Sequence, residues 1–429
     1  MRVLMFGWEF PPHITGGLGT ACFGMTKGLA KNDVEVLFVV PRAYGDEDQT
    51  NIRLLNASDV TIDIDHEKDR SYWERVQYME IGSNIIPYVG PEEFLKYKDG
   101  YSTVEHFNRS GSVFARNYQF SGKYGMNLME EVARYALIGS SIATKYDFDV
   151  IHAHDWLTYS AGIAAKETTG KPLVVHMHAT EFDRSGENIN TDVYAIERRG
   201  MEAADLVITV SDWTRNIVIE KYHINPDKVI TVHNAVEPSD KSLDEYERSG
   251  LKNKVVTFLG RITYQTGPEY FVEAAYKILQ VDPTIHFVMA GTGDLLQKMI
   301  KRVAQLKIGA NFHFTGFLKG NDVDQMFAMT DVFVMPSISE PFGIVPLEAM
   351  RLKVPVVISK QSGVSEVVEH ALKVDFWDIN GLADAIYGIC KYKAVNEIFR
   401  KEGKEEVDNL KWEYAAKKIK AVYEKAIGK

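Results

Sequence analysis

Four histidines fall in two His-x-His pairs, His152 and His154 in VIHAHDWLT and His176 and His178 in VVHMHATEFD. Residues two apart on a strand share one face. Two such pairs carry the atoms of a transition-metal site. No further histidine or acid at a recognisable ligand spacing completes that site. The plainer reading buries the first histidine of each pair with a hydrogen-bond partner. His154, Asp155 and His178 then reach a cleft as polar groups that position a substrate.

A second constellation is SEPFGIVPLEAM, which sets Glu340 and Glu348 on either side of Gly343. A helix starting after Gly343 leaves the N–H groups of Phe342, Gly343 and Ile344 without intrahelical partners, so they can donate to sugar hydroxyls. Glu348, about one turn in, can accept two bonds from a vicinal diol such as a ribose. A carboxylate near a helix start can also serve as a purely structural cap. In FLGRITYQTGPEYFVEAA, Arg261 follows a strand and can grip a phosphate in fork geometry, or lie on the surface. In PPHITGGLGTACFG, Gly16, Gly17 and Gly19 around Leu18 allow a ligand close to the backbone ahead of a helix. A tight strand–helix turn would use the same glycines. AGTGD, 291–294 at its glycine turn, is a weaker instance.

These residues sit where strands end. Short β-rich runs such as VLMFGW, EVLFVV, DVIHAH, LVVHMH, VVTFLG, HFVMAG and VFVMP alternate with helical patterns. That order predicts α/β domains with parallel sheets and crossover helices. Ligands in such sheets bind past the carboxyl ends of the strands. At 429 residues the chain predicts two domains. The polar stretch from Val236 to Lys254 reads as the linker, and residues 63 to 125 as an insertion in the first domain. The closing KWEYAAKKIKAVYEKAIGK is an amphipathic helix.

Composition narrows the function classes. A net charge of −10 without a basic block argues against sequence-independent nucleic-acid binding. No apolar run approaches membrane-spanning length, and MRVLMFGWEFPPH reads as a first strand, not a signal peptide. Two cysteines far apart in sequence suit reduced thiols, and hence the cytoplasm. The oligomeric state stays open.

Taken together, TGGLG, HAHDWLT, HATEFD, VSDWTRN, VHNAVE, GRITYQTG and the Glu340-x7-Glu348 segment resemble the retaining GT-B glycosyltransferases, especially the glycogen and starch synthases and glycosyltransferase family 4. The resemblance runs nearly the full length. It implies two doubly wound Rossmann-like domains facing across a cleft. Residues 1–240 would form the acceptor side, with the helix 412–429 packing back on it, and 250–411 the nucleotide-sugar side. The activity implied is transfer of a hexose, with glucose expected, from UDP- or ADP-glucose to a glycan hydroxyl. An α-glucan is one possible acceptor, and no metal or other cofactor is needed.

By residue, the resemblance places His178 near the donor's anomeric carbon and Glu340 beside the transferred sugar. Arg261 would bind the diphosphate, facing Gly16, Gly17, Leu18 and Gly19. The backbone of Phe342, Gly343 and Ile344 would hold sugar hydroxyls, and Glu348 the ribose. Asp155 resembles an acceptor-side carboxylate, with His154 beside it. Thr266 stands where the family carries a diphosphate lysine, and Ile14 where glycogen synthases carry lysine. The first departure implies weakened turnover. It motivates a rival reading, a sugar-nucleotide- or glycan-binding pseudoenzyme. A metal-dependent hydrolase built on the four histidines is a third.

Overall fold

The computed structural model describes residues 1–13, 17–62, 116–117, 120–121, 128–237 and 253–428. Gly16, Ile14, most of the expected insertion and most of the expected linker lie outside them.

The N-terminal half opens with β1 (Arg2–Phe6), α1 (Gly17–Lys31), β2 (Glu35–Val40), β3 (Arg53–Asn56) and the short β4 (Thr61–Ile62) and β5 (Arg116–Asn117). It continues through α2 (Leu128–Lys145), β6 (Val150–His154), α3 (Trp156–Thr169), β7 (Leu173–Met177), α4 (Glu181–Ser185), α5 (Thr191–Ala203), β8 (Leu206–Thr209), α6 (Asp212–Tyr222) and β9 (Val229–Thr231). The C-terminal half comprises β10 (Val255–Leu259), α7 (Pro268–Leu279), β11 (His286–Ala290), α8 (Leu296–Gln305), β12 (Phe312–Gly316), α9 (Asn321–Met329) and β13 (Val332–Met335). It ends with α10 (Ile344–Arg351), β14 (Val356–Ser359), β15 (Leu372–Val374), α11 (Ile379–Lys391), α12 (Lys393–Val407) and α13 (Trp412–Ile427).

The strands form two parallel sheets, ordered β3-β2-β1-β6-β7-β8-β9 and β12-β11-β10-β13-β14-β15. Both are Rossmann-like parallel sheets, as the resemblance implies. Their strands read as nearly unbroken apolar runs because helices cover both faces. In the first sheet, Leu4, Phe6, Ile151, Val175 and Met177 belong to one buried cluster, and Val3, Met5, Val150, Val174 and Ile208 to another. The strand order reverses between β1 and β6, and again between β10 and β13. Those two switch points are where an open sheet leaves a crevice at its carboxyl edge. The residues just past β6, β10 and β13 are Asp155, Arg261 and Glu340, so topology aims the sequence motifs at the crevices.

The last helix returns to the first sheet. Trp412, Ala416, Ile419 and Tyr423 join the cluster that α1 covers. Gly24 and Gly28 make the approach possible, since a Cβ on either would sit 2.1 Å or 2.5 Å from Trp412. Asn32 Nδ2 donates to the Glu413 carbonyl at 3.0 Å, and Lys420 Nζ to the Asn32 carbonyl at 2.8 Å. Among the described residues, no helix is long and apolar enough to cross a membrane.

Candidate active site

On the second sheet, the loops beyond β10 and β13 are stitched together. Gly267 has φ +62°, a conformation glycine adopts without strain, and a Cβ there would lie 2.2 Å from the Pro336 carbonyl oxygen. Ile338 N donates to the Gln265 carbonyl at 2.9 Å. Thr266 closes the Arg261 loop from inside. Its Oγ1 is 2.6 Å from the Arg261 carbonyl oxygen and 3.1 Å from that of Thr263. That hydroxyl faces its own loop, while the Arg261 side chain is exposed.

Glu340 is fixed from both sides of its peptide. Its N–H donates to the Gln361 carbonyl, and its carbonyl accepts from Gly363 N, both at 2.9 Å. Ser337 Oγ donates to its carboxylate at 3.2 Å. Burial pushes the Glu340 carboxyl up to about 7. Ser337 opposes the shift, Asp183 adds to it through its charge, and Arg261 opposes it. Glu340 therefore feels groups from both domains. Gly343, at φ +97°, turns the chain into α10. Among the described residues, no backbone carbonyl accepts from the N–H groups of Phe342, Gly343 or Ile344. Glu348 lies on the fifth residue of α10 and is half-buried. Burial raises its carboxyl above the ordinary value, with Arg351 opposing.

The first domain presents a different surface. His154 and His176 are register partners on β6 and β7, and His152 lies two residues earlier on the same face. His154 Nδ1 is 2.9 Å from His178 Nε2, and His152 Nδ1 is 2.5 Å from the Tyr423 hydroxyl of α13. Burial drives the His152 and His178 imidazoles down to about 3, so both are neutral at ordinary pH. Asp155 adopts φ +56° and turns inward. Its carboxylate accepts from His178 N at 2.6 Å and Ala179 N at 3.4 Å, and burial raises it to about 7. The expectation that His154 and Asp155 reach the cleft differs from this placement. His154 is fully buried and Asp155 nearly so, because both are spent on holding His178. His178 is 9% exposed, the most accessible of the four histidines.

Beyond His178, Thr180 and Asp183 form a capping box that starts α4. Arg184 anchors this turn beneath, donating to Glu181 at 3.0 Å, to the Ala179 carbonyl at 2.9 Å and to Glu197. Asp183 then crosses to the other domain, accepting from Ser339 Oγ at 2.5 Å. Trp213 Nε1 donates to the same Ser339 oxygen at 3.1 Å. Ser211 Oγ donates to the Pro341 carbonyl at 2.6 Å. Glu366 of the second domain caps α6 of the first, accepting from Asp212 N at 2.9 Å and Trp213 N at 2.7 Å, with His233 Nε2 at 2.7 Å. The structure thus brings His178, Glu340 and Arg261 into one interdomain region. Leu18 and Ile344 both pack on the cluster beneath α1, which sets the start of α1 and the start of α10 on shared ground. Gly17 and Gly19 lie within the first turn of α1.

Asp183, Ser339, Ser211, Trp213 and Glu366 were not singled out from the sequence. Thr180-x-x-Asp183 and Ser211-x-x-Thr214 carry readable capping spacings. Glu366 has no local signal, because its partners are about 150 residues away in the chain.

Chemically, the region offers an exposed guanidinium and open backbone donors on one side. The neutral imidazole of His178 and the carboxylate of Asp183 lie on the other side. Such a cleft suits an anionic leaving group joined to a hydroxyl-rich ring.

The chain is similar to known glycosyltransferases. The family model for Glycosyl transferases group 1 matches residues 241–406, and that for Glycosyltransferase Family 4 matches residues 112–240. An uncharacterized glycosyltransferase of Methanocaldococcus jannaschii is 29% identical over 89% of this chain and 84% of its own. A glycogen synthase of Mycobacterium tuberculosis is 23% identical over 91% of this chain and 86% of its own. Among solved structures, the catalytic domain of starch synthase IV from Arabidopsis thaliana, bound to ADP and acarbose, superposes with a TM-score of 0.67. It is 15% identical, and the match covers 100% of this chain and 99% of that one.

Proposed function

We propose that this chain, whose residues 241–406 match the group 1 glycosyl transferase model and whose residues 112–240 match the family 4 model, is a glycosyltransferase that moves a hexose with retention from a nucleotide-diphosphate sugar to a glycan hydroxyl. Glucose is the proposed hexose, ADP- or UDP-glucose the donor and an α-glucan the acceptor. The observation that carries this reading is the second sheet's switch point. There Arg261, Glu340 and the unbonded N–H groups of Phe342 to Ile344 converge opposite His178 and Asp183.

In this reading Arg261 and the first turn of α1 hold the diphosphate as charge develops on it. Glu348 takes the ribose diol, and the Gly343 turn takes sugar hydroxyls. The bond from the anomeric carbon to the diphosphate oxygen breaks, and a bond to the acceptor oxygen forms on the same face. The acceptor's proton passes to the departing diphosphate. His178 stays neutral and hydrogen-bonds the sugar beside the reacting carbon. Asp155 and His154 position it from behind, on the acceptor side. No metal or other cofactor takes part in these steps. The two unpaired thiols, Cys22 and Cys390, support the cytoplasm as the location.

A second reading, a sugar-nucleotide- or glycan-binding protein with impaired turnover, rests on Thr266. Its hydroxyl is directed at its own loop carbonyls, and it brings no ammonium to the diphosphate. One experiment addresses both. ADP-, UDP- and GDP-glucose are screened by thermal shift, since a ligand of the native state raises the midpoint. The best donor is then incubated with maltooligosaccharides, and the product anomer is read by NMR. An α-linked product supports the transferase. Binding without product supports the second reading, and no binding by any donor overturns both.

A further inference from the structure

Three imidazoles with unanswered nitrogens are enclosed in the core of the first domain. His152 and His154 are fully buried, and His176 is 1% exposed. Among the described residues, His152 Nε2, His154 Nε2 and both nitrogens of His176 have no hydrogen-bond partner. A buried polar atom without a partner bears an unrelieved desolvation cost, and native structures tolerate few. Here four such atoms lie together. One nitrogen from each of the three rings falls within 4.8 Å of the other two. The backbone produces this convergence. Side chains two apart on β6 share a face, and His176 on β7 stands in register beside His154.

We propose that His152, His154 and His176 form a structural site for a divalent transition-metal ion, with zinc the fitting chemistry. The triad contains imidazole alone, which favours zinc-like ions over magnesium or calcium. Zinc–nitrogen bonds of about 2.0–2.1 Å require nitrogens roughly 3.3 Å apart, so the rings close in slightly around the ion.

The outer shell is built for two of the three ligands, His152 and His154. A ligating histidine ordinarily has its second nitrogen held by an oriented partner. His152 Nδ1 meets the Tyr423 hydroxyl, and His154 Nδ1 meets His178 Nε2. Ligation through His154 Nε2 makes Nδ1 the donor in the latter pair. His178 Nε2 is then the acceptor, and its Nδ1 carries the proton. The ion therefore ties three things together: strands β6 and β7, the returning helix α13, and the tautomer of His178. Cys22 of α1 lies within 4.8 Å of nitrogens of both His154 and His178, a soft ligand beside the triad. The inference stands apart from the sugar-transfer reading and holds whichever ligand the cleft takes.

The test uses the full chain without a histidine tag. Zinc is measured by elemental analysis after purification, and Co2+ is titrated into chelator-treated protein, followed by its visible absorption. We expect about one equivalent of metal per chain, saturation of the cobalt bands at that ratio, and a thermal midpoint that falls on chelation and recovers with zinc. His176→Gln should abolish the bands. Should that variant fail to fold, the chelation and recovery of the unaltered chain decide the matter. A natively melting chain with less than about a tenth of an equivalent of zinc and no cobalt bands overturns the site, and leaves buried water as the partner of these nitrogens. Undiminished cobalt bands in folded His176→Gln also overturn it.

Discussion

The two sheets present their switch points in opposite ways. Past β6 and β7 the chain spends its polar groups on one another. His154 holds His178, Asp155 holds the His178 and Ala179 backbone, and Arg184 pins the next turn. Past β10 and β13 the Arg261 side chain is solvent-exposed, and among the described residues no backbone carbonyl accepts from the donors before α10. A preorganised wall faces a receptive one. Rigid placement serves the reacting atom, where small misplacements are costly, while open donors serve a ligand that brings its own acceptors. Ser339, Ser211 and Glu366 link the two across the cleft.

Substitutions on each side can break this division. His178→Ala should lower turnover by about a hundredfold or more while donor affinity stays within about threefold. Steady-state kinetics beside calorimetric donor binding reads the split. Equal losses in both would erase the distinction between the walls.

On the receptive side, Glu348→Ala should weaken nucleoside diphosphate binding by about 1–3 kcal/mol, roughly fivefold to 150-fold. Calorimetry with ADP and UDP checks it. Unchanged affinity in a folded variant would remove Glu348 from the ribose.

The link between the walls is tested at Gly363. A Cβ there would lie 2.3 Å from the Pro341 carbonyl oxygen and 2.5 Å from the Ser211 Cβ of the other domain. Gly363→Ala should cost about 1–3 kcal/mol by overpacking, or open the cleft to relieve it. Denaturant melts and small-angle scattering together report the result. A variant with unaltered stability and radius would show that this contact does not hold the domains.

The smallest expected effect concerns pH, where the walls again differ in sign. Glu340 titrates at about 7 in the native chain against an ordinary 4.5. The native state thus holds more protons between those values, so this group stabilises as pH falls through 7 and is a cost above it. His152 and His178, held near 3 against 6.5, do the reverse and cost stability as pH falls from 6.5 toward 3. Glu340→Gln should therefore raise the melting midpoint at pH 8 by about 1–3 °C, with the gain fading as pH falls from 7 to 4.5. A constant offset across that range would contradict the shifted carboxyl.

Much of this was legible in the chain order. Alternating apolar runs and helical periods give parallel sheets, because a buried strand must be apolar on both faces. Glycine at 343 and 267 marks turns that glycine makes without strain, and both turns have positive φ. The motif residues at 178, 261 and 340 could be placed at strand ends from the pattern alone. That much is local information: residue type, period and capping. What the sequence could not reveal was which polar groups face each other. His154 and Asp155 read as cleft residues because a strand end usually opens to solvent, yet α1 and α13 close over that edge. Tyr423 returns across almost the whole chain to meet His152, and His154 and Asp155 turn to His178 instead of the cleft. Asp183 meeting Ser339, Glu366 capping α6, and the three imidazoles converging from two strands depend in the same way on packing between distant segments. Only the tertiary structure decides such contacts, since each residue's burial and hydrogen-bond partner are properties of the assembled neighbours and not of its own place in the chain.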